Sequence, residues 1–114
     1  MKWFLVGLFV LLSACLPANS DPGGATLTLE PTASYNVLRF AAGTDDANAV
    51  KLEIAGIGTR VNDAKCKLET QLIKCDLGSV PANKTYSLPI TGTAIQARAG
   101  YARASNVTYE IYLK

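Results

Sequence analysis

No histidine occurs anywhere in the 114 residues, and that absence removes both the side chain best suited to proton transfer near neutral pH and the commonest metal ligand. The serines therefore have no imidazole base, and no Gly-x-Ser-x-Gly elbow occurs, so nucleophilic hydrolysis has no visible apparatus. An excess of one charge is also missing: 11 basic residues against 9 acidic ones leave a net charge of +2, with no basic patch of the kind that nucleic acid requires. Long apolar runs are absent too. The one candidate, Trp3 to Leu12, has about half the roughly 20 residues that a membrane span needs before Ser13 and Pro17 interrupt it. Beyond residue 15 no long stretch has helical periodicity. These gaps point away from an enzyme and away from a cofactor, metal or nucleic-acid partner.

What is present begins at the amino terminus. One charge at Lys2, a short apolar stretch and the small residues Ser13 and Ala14 are the parts of an export signal, expected here as a signal helix over residues 1–14. The end of that signal, Leu12-Ser13-Ala14-Cys15, resembles the bacterial lipobox at all four positions. The resemblance implies that Leu12, Ser13 and Ala14 are read by a signal peptidase and that diacylglycerol is attached to the Cys15 thiol. The chain is then cut before Cys15 and its new amino terminus acylated, with palmitate as a typical chain. Two or more acyl chains, at about 0.8 kcal/mol per buried methylene, hold a protein on a bilayer durably. In the same precursors an aspartate after the cysteine retains the protein at the inner membrane. Leu16 stands there, which implies the outer membrane where the organism has one.

Residues 15–24 are rich in turn formers and read as a flexible tether. From residue 25 to 114 the pattern is alternation, cleanest in Val50-Lys51-Leu52-Glu53-Ile54, where apolar residues face one way and charges the other. Similar runs occur at Thr26–Glu30, Asn36–Phe40, Thr85–Ile90, Ile95–Tyr101 and Val107–Leu113, separated by turn chemistry such as Gly43-Thr-Asp-Asp46, Gly56-Ile-Gly58 and Pro81-Ala-Asn83. The expected fold is all-β: an antiparallel sandwich of two sheets and about seven strands, although a small barrel would give much the same string.

The remaining cysteines frame a hairpin. If Cys66 faces Cys75, then Lys67 faces Lys74, Leu68 faces Ile73 and Glu69 faces Leu72, leaving Thr70-Gln71 as the turn. These are not the favoured Asn-Gly turn residues, so a register shifted by one residue or a wider loop is an alternative. An exported location is oxidising, and a structural disulfide between Cys66 and Cys75 is the expectation. Two free thiols or a metal site are the other readings, the latter short of ligands. The order Cys66, hairpin, Cys75-Asp-Leu-Gly-Ser-Val-Pro-Ala-Asn83 and an alternating strand resembles DUF11-type immunoglobulin-like surface repeats over residues 50 to 92. Asn83 stands near a position that family fills with glycine. The resemblance implies an immunoglobulin-like surface or envelope module.

Other candidates are carboxylates and exposed aromatics. Asp45 and Asp46 with Asp63 or Asp76 offer oxygens for calcium, although turn aspartates ordinarily bond their own backbone. Glu30, Glu53, Glu69 and Glu110 include possible pairs for glycoside cleavage, yet mostly fall on outward strand positions. Tyr112 projects opposite the core face of its strand and Tyr35 lies near the start of another, where aromatic rings bind sugars or partner proteins. The expected role is a lipid-anchored, non-catalytic module presenting its surface to an envelope protein. A small-ligand or glycan binder, or an inhibitor of an envelope enzyme, is the alternative.

Overall fold

The computed structural model describes residues 21–104 and 106–113. The lipobox residues Leu12, Ser13, Ala14 and Cys15, and the expected signal helix over 1–14, lie outside the described residues. The strands are β1 (Thr26–Pro31), β2 (Asn36–Ala41), β3 (Ala47–Val61), β4 (Cys66–Glu69), β5 (Leu72–Val80), β6 (Thr85–Ala102) and β7 (Thr108–Tyr112). All neighbours are antiparallel. They form one seven-stranded sheet in the order β1-β2-β6-β3-β5-β4, with β7 also paired to β6.

One expectation is corrected here. The immunoglobulin-like sandwich of two separate sheets is instead one continuous antiparallel sheet, all-β with no helix among the described residues. The physical reason lies in two strands longer than their sequence suggests. Thr85–Ile90 and Ile95–Tyr101 are both parts of β6, and β3 runs straight through Gly56-Ile57-Gly58, which reads as a turn. The β3–β6 pair bends instead of breaking, with register shifts between Ala55 and Ile57 and between Ile57 and Arg60. Extra residues of this kind bend a strand and sharpen its twist. The alternation slips with them: Leu88 and Ile90 are buried before the bend, and Ala97, Ala99 and Tyr101 after it. At the bend Gly92 has φ of 124°, and a Cβ there would lie 2.8 Å from the Thr59 Cα.

One face of the sheet thereby becomes the whole core. Cross-strand partners are apolar in rows: Leu27 with Phe40, Leu38 with Leu88, Leu52 with Cys75 and Ala99, and Ile54 with Ile73 and Ala97. The bend brings the β1–β2 end over the β3–β6 end, so that Phe40 meets Tyr101 edge to face at 5.4 Å. The opposite face stays open to solvent, and its charged side chains are the subject of the next section.

Candidate functional site

Because strands alternate, the residues that are not core form a second set of rows on the outer face. One row crosses four strands by register: Lys74 in β5, Glu53 in β3, Arg98 in β6 and Tyr112 in β7. Arg98 Nε donates to Glu53 Oε1 at 2.6 Å, and its Nη1 lies 3.6 Å from Glu110 Oε2. The Tyr112 hydroxyl donates to Glu110 Oε1 at 2.7 Å while 59% of the residue stays exposed. The hydrogen bond to Glu53 holds the Arg98 guanidinium above its ordinary pKa, and the bond to Glu110 raises that of Tyr112. The ring of Tyr112 is thus held by its hydroxyl while the rest of the residue stays largely open to solvent. Beside it, Glu53, Leu72, Gln96 and Arg98 line a recess of about 250 Å³.

The neighbouring row has a gap. Lys51 in β3 and Glu110 in β7 flank Gly100 in β6. A Cβ on Gly100 would meet nothing closer than the Tyr109 carbonyl oxygen at 4.0 Å. The missing side chain leaves a notch between a cation and a carboxylate, part of a depression of about 540 Å³. Tyr112 is therefore exposed as its alternation predicts, whereas Tyr35 belongs to the β1–β2 turn and not to this row. Alternation places Arg98, Glu53, Glu110 and Lys51 on outward positions of separate strands. Only the register across four strands brings them together.

The carboxylates weighed for glycoside cleavage are each engaged by a cation: Glu53 and Glu110 by Arg98, Glu69 by Lys74, and Glu30 by Arg39. The aspartates weighed for calcium accept hydrogen bonds from the protein itself. Asp46 accepts from the Ala82 amide at 2.7 Å, Asp63 from the Lys65 amide at 2.8 Å and the Tyr86 hydroxyl at 3.0 Å, and Asp76 from the Gly78 amide at 3.3 Å. Among the described residues no three potential metal ligands converge.

A buried polar cluster ties Asp21 to the end of β6. Arg103, only 6% exposed, follows the last residue of β6. Its Nε donates to Asp21 Oδ1 at 3.1 Å, its Nη1 to the carbonyls of Asp45 at 2.6 Å and Asp46 at 3.1 Å, and its Nη2 to the Ala42 carbonyl at 2.9 Å and to Asp21 Oδ2. Asp21 also accepts from the Tyr101 hydroxyl at 2.6 Å and from the amides of Gly23 at 2.9 Å and Ala25 at 3.3 Å. Burial pushes the Asp21 carboxyl up, but the bonds from Arg103, Tyr101 and the two amides outweigh it and hold the group at about 2. Burial, and then Asp21, raise the Tyr101 phenol.

Residues 21–24, assigned by sequence to a tether over 15–24, are thus fastened in the fold. The Thr44 amide donates to the Gly23 carbonyl at 2.9 Å, and a Cβ on Gly43 would fall 2.0 Å from that same oxygen. The chain crosses itself here, and only glycine permits so close a passage.

The Cys66–Cys75 disulfide is present, with the two Cα atoms 4.0 Å apart. The hairpin takes the register derived from its spacing, Lys67 opposite Lys74, Leu68 opposite Ile73 and Glu69 opposite Leu72. Thr70 supplies the turn by adopting φ of 58°. Replacing both cysteines by serine is expected to cost about 2–3 kcal/mol, given the short loop. Urea unfolding of the variant beside wild type, with and without reductant, checks this: reductant should weaken only the wild type.

No family model matches the chain, and no curated protein matches it significantly. Among solved structures, a GH20 exo-β-N-acetylglucosaminidase from Vibrio harveyi, in complex with N-acetylglucosamine, aligns at 12% identity and a TM-score of 0.49. The alignment covers 79% of this chain and 17% of that one. A likeness this slight carries no weight for activity.

Proposed function

We propose that this chain is a lipid-tethered, non-catalytic binding module, anchored through Cys15, whose outer sheet face takes a small polyhydroxylated ligand of the saccharide kind. The carrying observation is the Lys74-Glu53-Arg98-Tyr112 row. An exposed aromatic face beside paired donors and acceptors is the combination that a sugar ring uses, its C–H face on the aromatic and its hydroxyls on the charges. The Gly100 notch adds room between Lys51 and Glu110 for a substituent. The charges already satisfy one another, which suits them to hold a ligand and not to move protons in one.

The anchor is supported by the Leu12-Ser13-Ala14-Cys15 sequence. Asp21 is locked to Arg103, and Cys15 precedes it by about six residues, at most roughly 20 Å of extended chain. A module so tethered stays within about that distance of the headgroups.

Tyr112→Ala is expected to weaken saccharide binding about tenfold, the worth of one aromatic contact. Gly100→Val, which suits a strand and fills the notch, should weaken it further without loss of fold. Titration of saccharide mixtures followed by chemical-shift mapping checks both. Shifts scattered away from β3, β6 and β7, or unchanged binding by Tyr112→Ala, would remove this reading.

A further inference from the structure

A second surface lies at the opposite end of β3 from Asp21. The sheet is open there on two sides. Its order ends at β4, so among the described residues one edge of Cys66–Glu69 has no partner strand. Past Ile54, where its pairing with β5 stops, β3 is paired among the described residues only to β6, through Ala55, Ile57, Arg60 and Val61. Between these two free edges runs a trough of about 250 Å³, lined by Gly58, Arg60, Val61, Lys67, Leu68 and Ile73. A second depression of about 350 Å³ shares Gly58, Leu68 and Ile73 with it.

The side chains in this trough belong to a core row that runs out into solvent. Ile54 and Ile73 are buried partners, and Leu68, the next residue across, is 69% exposed although it stands on the same face. A row of this kind is completed by one more strand. Two cations line the trough: Arg60 and Lys67, neither of which has a carboxylate partner among the described residues. A second copy of this chain is the poorer occupant, because its own β4 edge carries one carboxylate, Glu69, which Lys74 already engages.

We infer that the open flank between β4 and the end of β3 is a docking groove for an extended, acidic segment of another protein. The segment adds to the sheet as a strand, with apolar residues against Leu68 and Val61 and carboxylates against Lys67 and Arg60. Main-chain hydrogen bonds to the free edge supply affinity, and the charges select the partner. With roughly 35 Å of β3 chain between Ala47, beside the Asp21 cluster, and Gly58, a chain anchored at Cys15 would hold the groove away from the bilayer. The docking itself does not depend on the anchor or on the saccharide face.

The test uses the full chain in detergent and a labelled, end-blocked hexapeptide of alternating glutamate and valine, followed by fluorescence anisotropy. Binding is expected, reduced at least tenfold by Lys67→Glu and by Leu68→Glu, both at exposed positions, and unaffected by Tyr112→Ala. The same peptide N-methylated at alternate amides should not bind, because it cannot complete a strand. Equal binding of the methylated peptide, or of one with lysine in place of glutamate, would overturn the proposal. So would unchanged binding by both groove variants, or self-association of the chain abolished by Leu68→Glu.

Discussion

Arg103→Met is expected to lower the unfolding free energy by about 3–5 kcal/mol, the usual result of removing one partner of a buried ion pair. The substitution keeps much of the side chain's length, so the loss is not mainly a cavity. It strands the Asp21 carboxylate and withdraws donors from the carbonyls of Ala42, Asp45 and Asp46, all of which Arg103 satisfies at once. Acid should expose the same cluster in the wild type. Asp21 sits at about 2 against an ordinary 3.8. Its contribution, about 2 kcal/mol, is therefore complete above roughly pH 5 and lost as the pH falls through 3.8 towards 2. Urea unfolding at a series of pH values checks both statements: the wild type should lose stability over that window, and Arg103→Met should show a flatter acid branch. Asp21→Asn combined with Arg103→Met should cost less than the sum of the single changes, since each single change orphans the other partner. The loss is also local. Hydrogen exchange at the Thr44 amide, which donates to Gly23, should quicken in the variant.

Phe40→Ala is expected to cost about 3–5 kcal/mol, as large-to-small changes of buried aromatic residues do. Phe40 is 1% exposed and meets Tyr101 where the bent sheet closes on itself. Removing it opens a cavity at that closure. The cost should exceed that of Tyr101→Phe, which keeps the ring contact and loses only the hydroxyl bond to Asp21. Chemical denaturation of the two variants settles the order. A smaller loss for Phe40→Ala would mean that the two ends of the sheet are held together mainly by the polar cluster.

What could be read in the sequence was local. Each strand declared its buried face by alternation, so Val50, Leu52 and Ile54 point to the core and Lys51 and Glu53 away from it. The cysteine hairpin declared its register because its two arms are complementary residue by residue over a short loop. What alternation cannot carry is the behaviour of a strand at a slip in its period. Around Gly92 and Ala94 the sequence reads as an end followed by a beginning, and the chain in fact continues through a bend with Ala94 at φ of 53°. One strand counted as two is what turns a continuous sheet into an expected pair of sheets.

The polar cluster was out of reach for a different reason. Asp21 and Arg103 are 82 positions apart, each in a segment rich in turn residues, and no short-range pattern ties one to the other. The outer row of Glu53, Arg98 and Tyr112 was half legible. Each residue could be placed on the solvent face, but their adjacency depends on which strands are neighbours.

The proposed lipid tether rests most directly on Cys15, and intact-mass spectrometry of the chain extracted from membranes tests it. The expected species begins at Cys15 and carries the added mass of diacylglycerol and an amide-linked acyl chain, while Cys15→Ser leaves the protein without that mass and in the soluble fraction. A mature chain beginning after residue 15, or one beginning at Cys15 with no lipid attached, would contradict it.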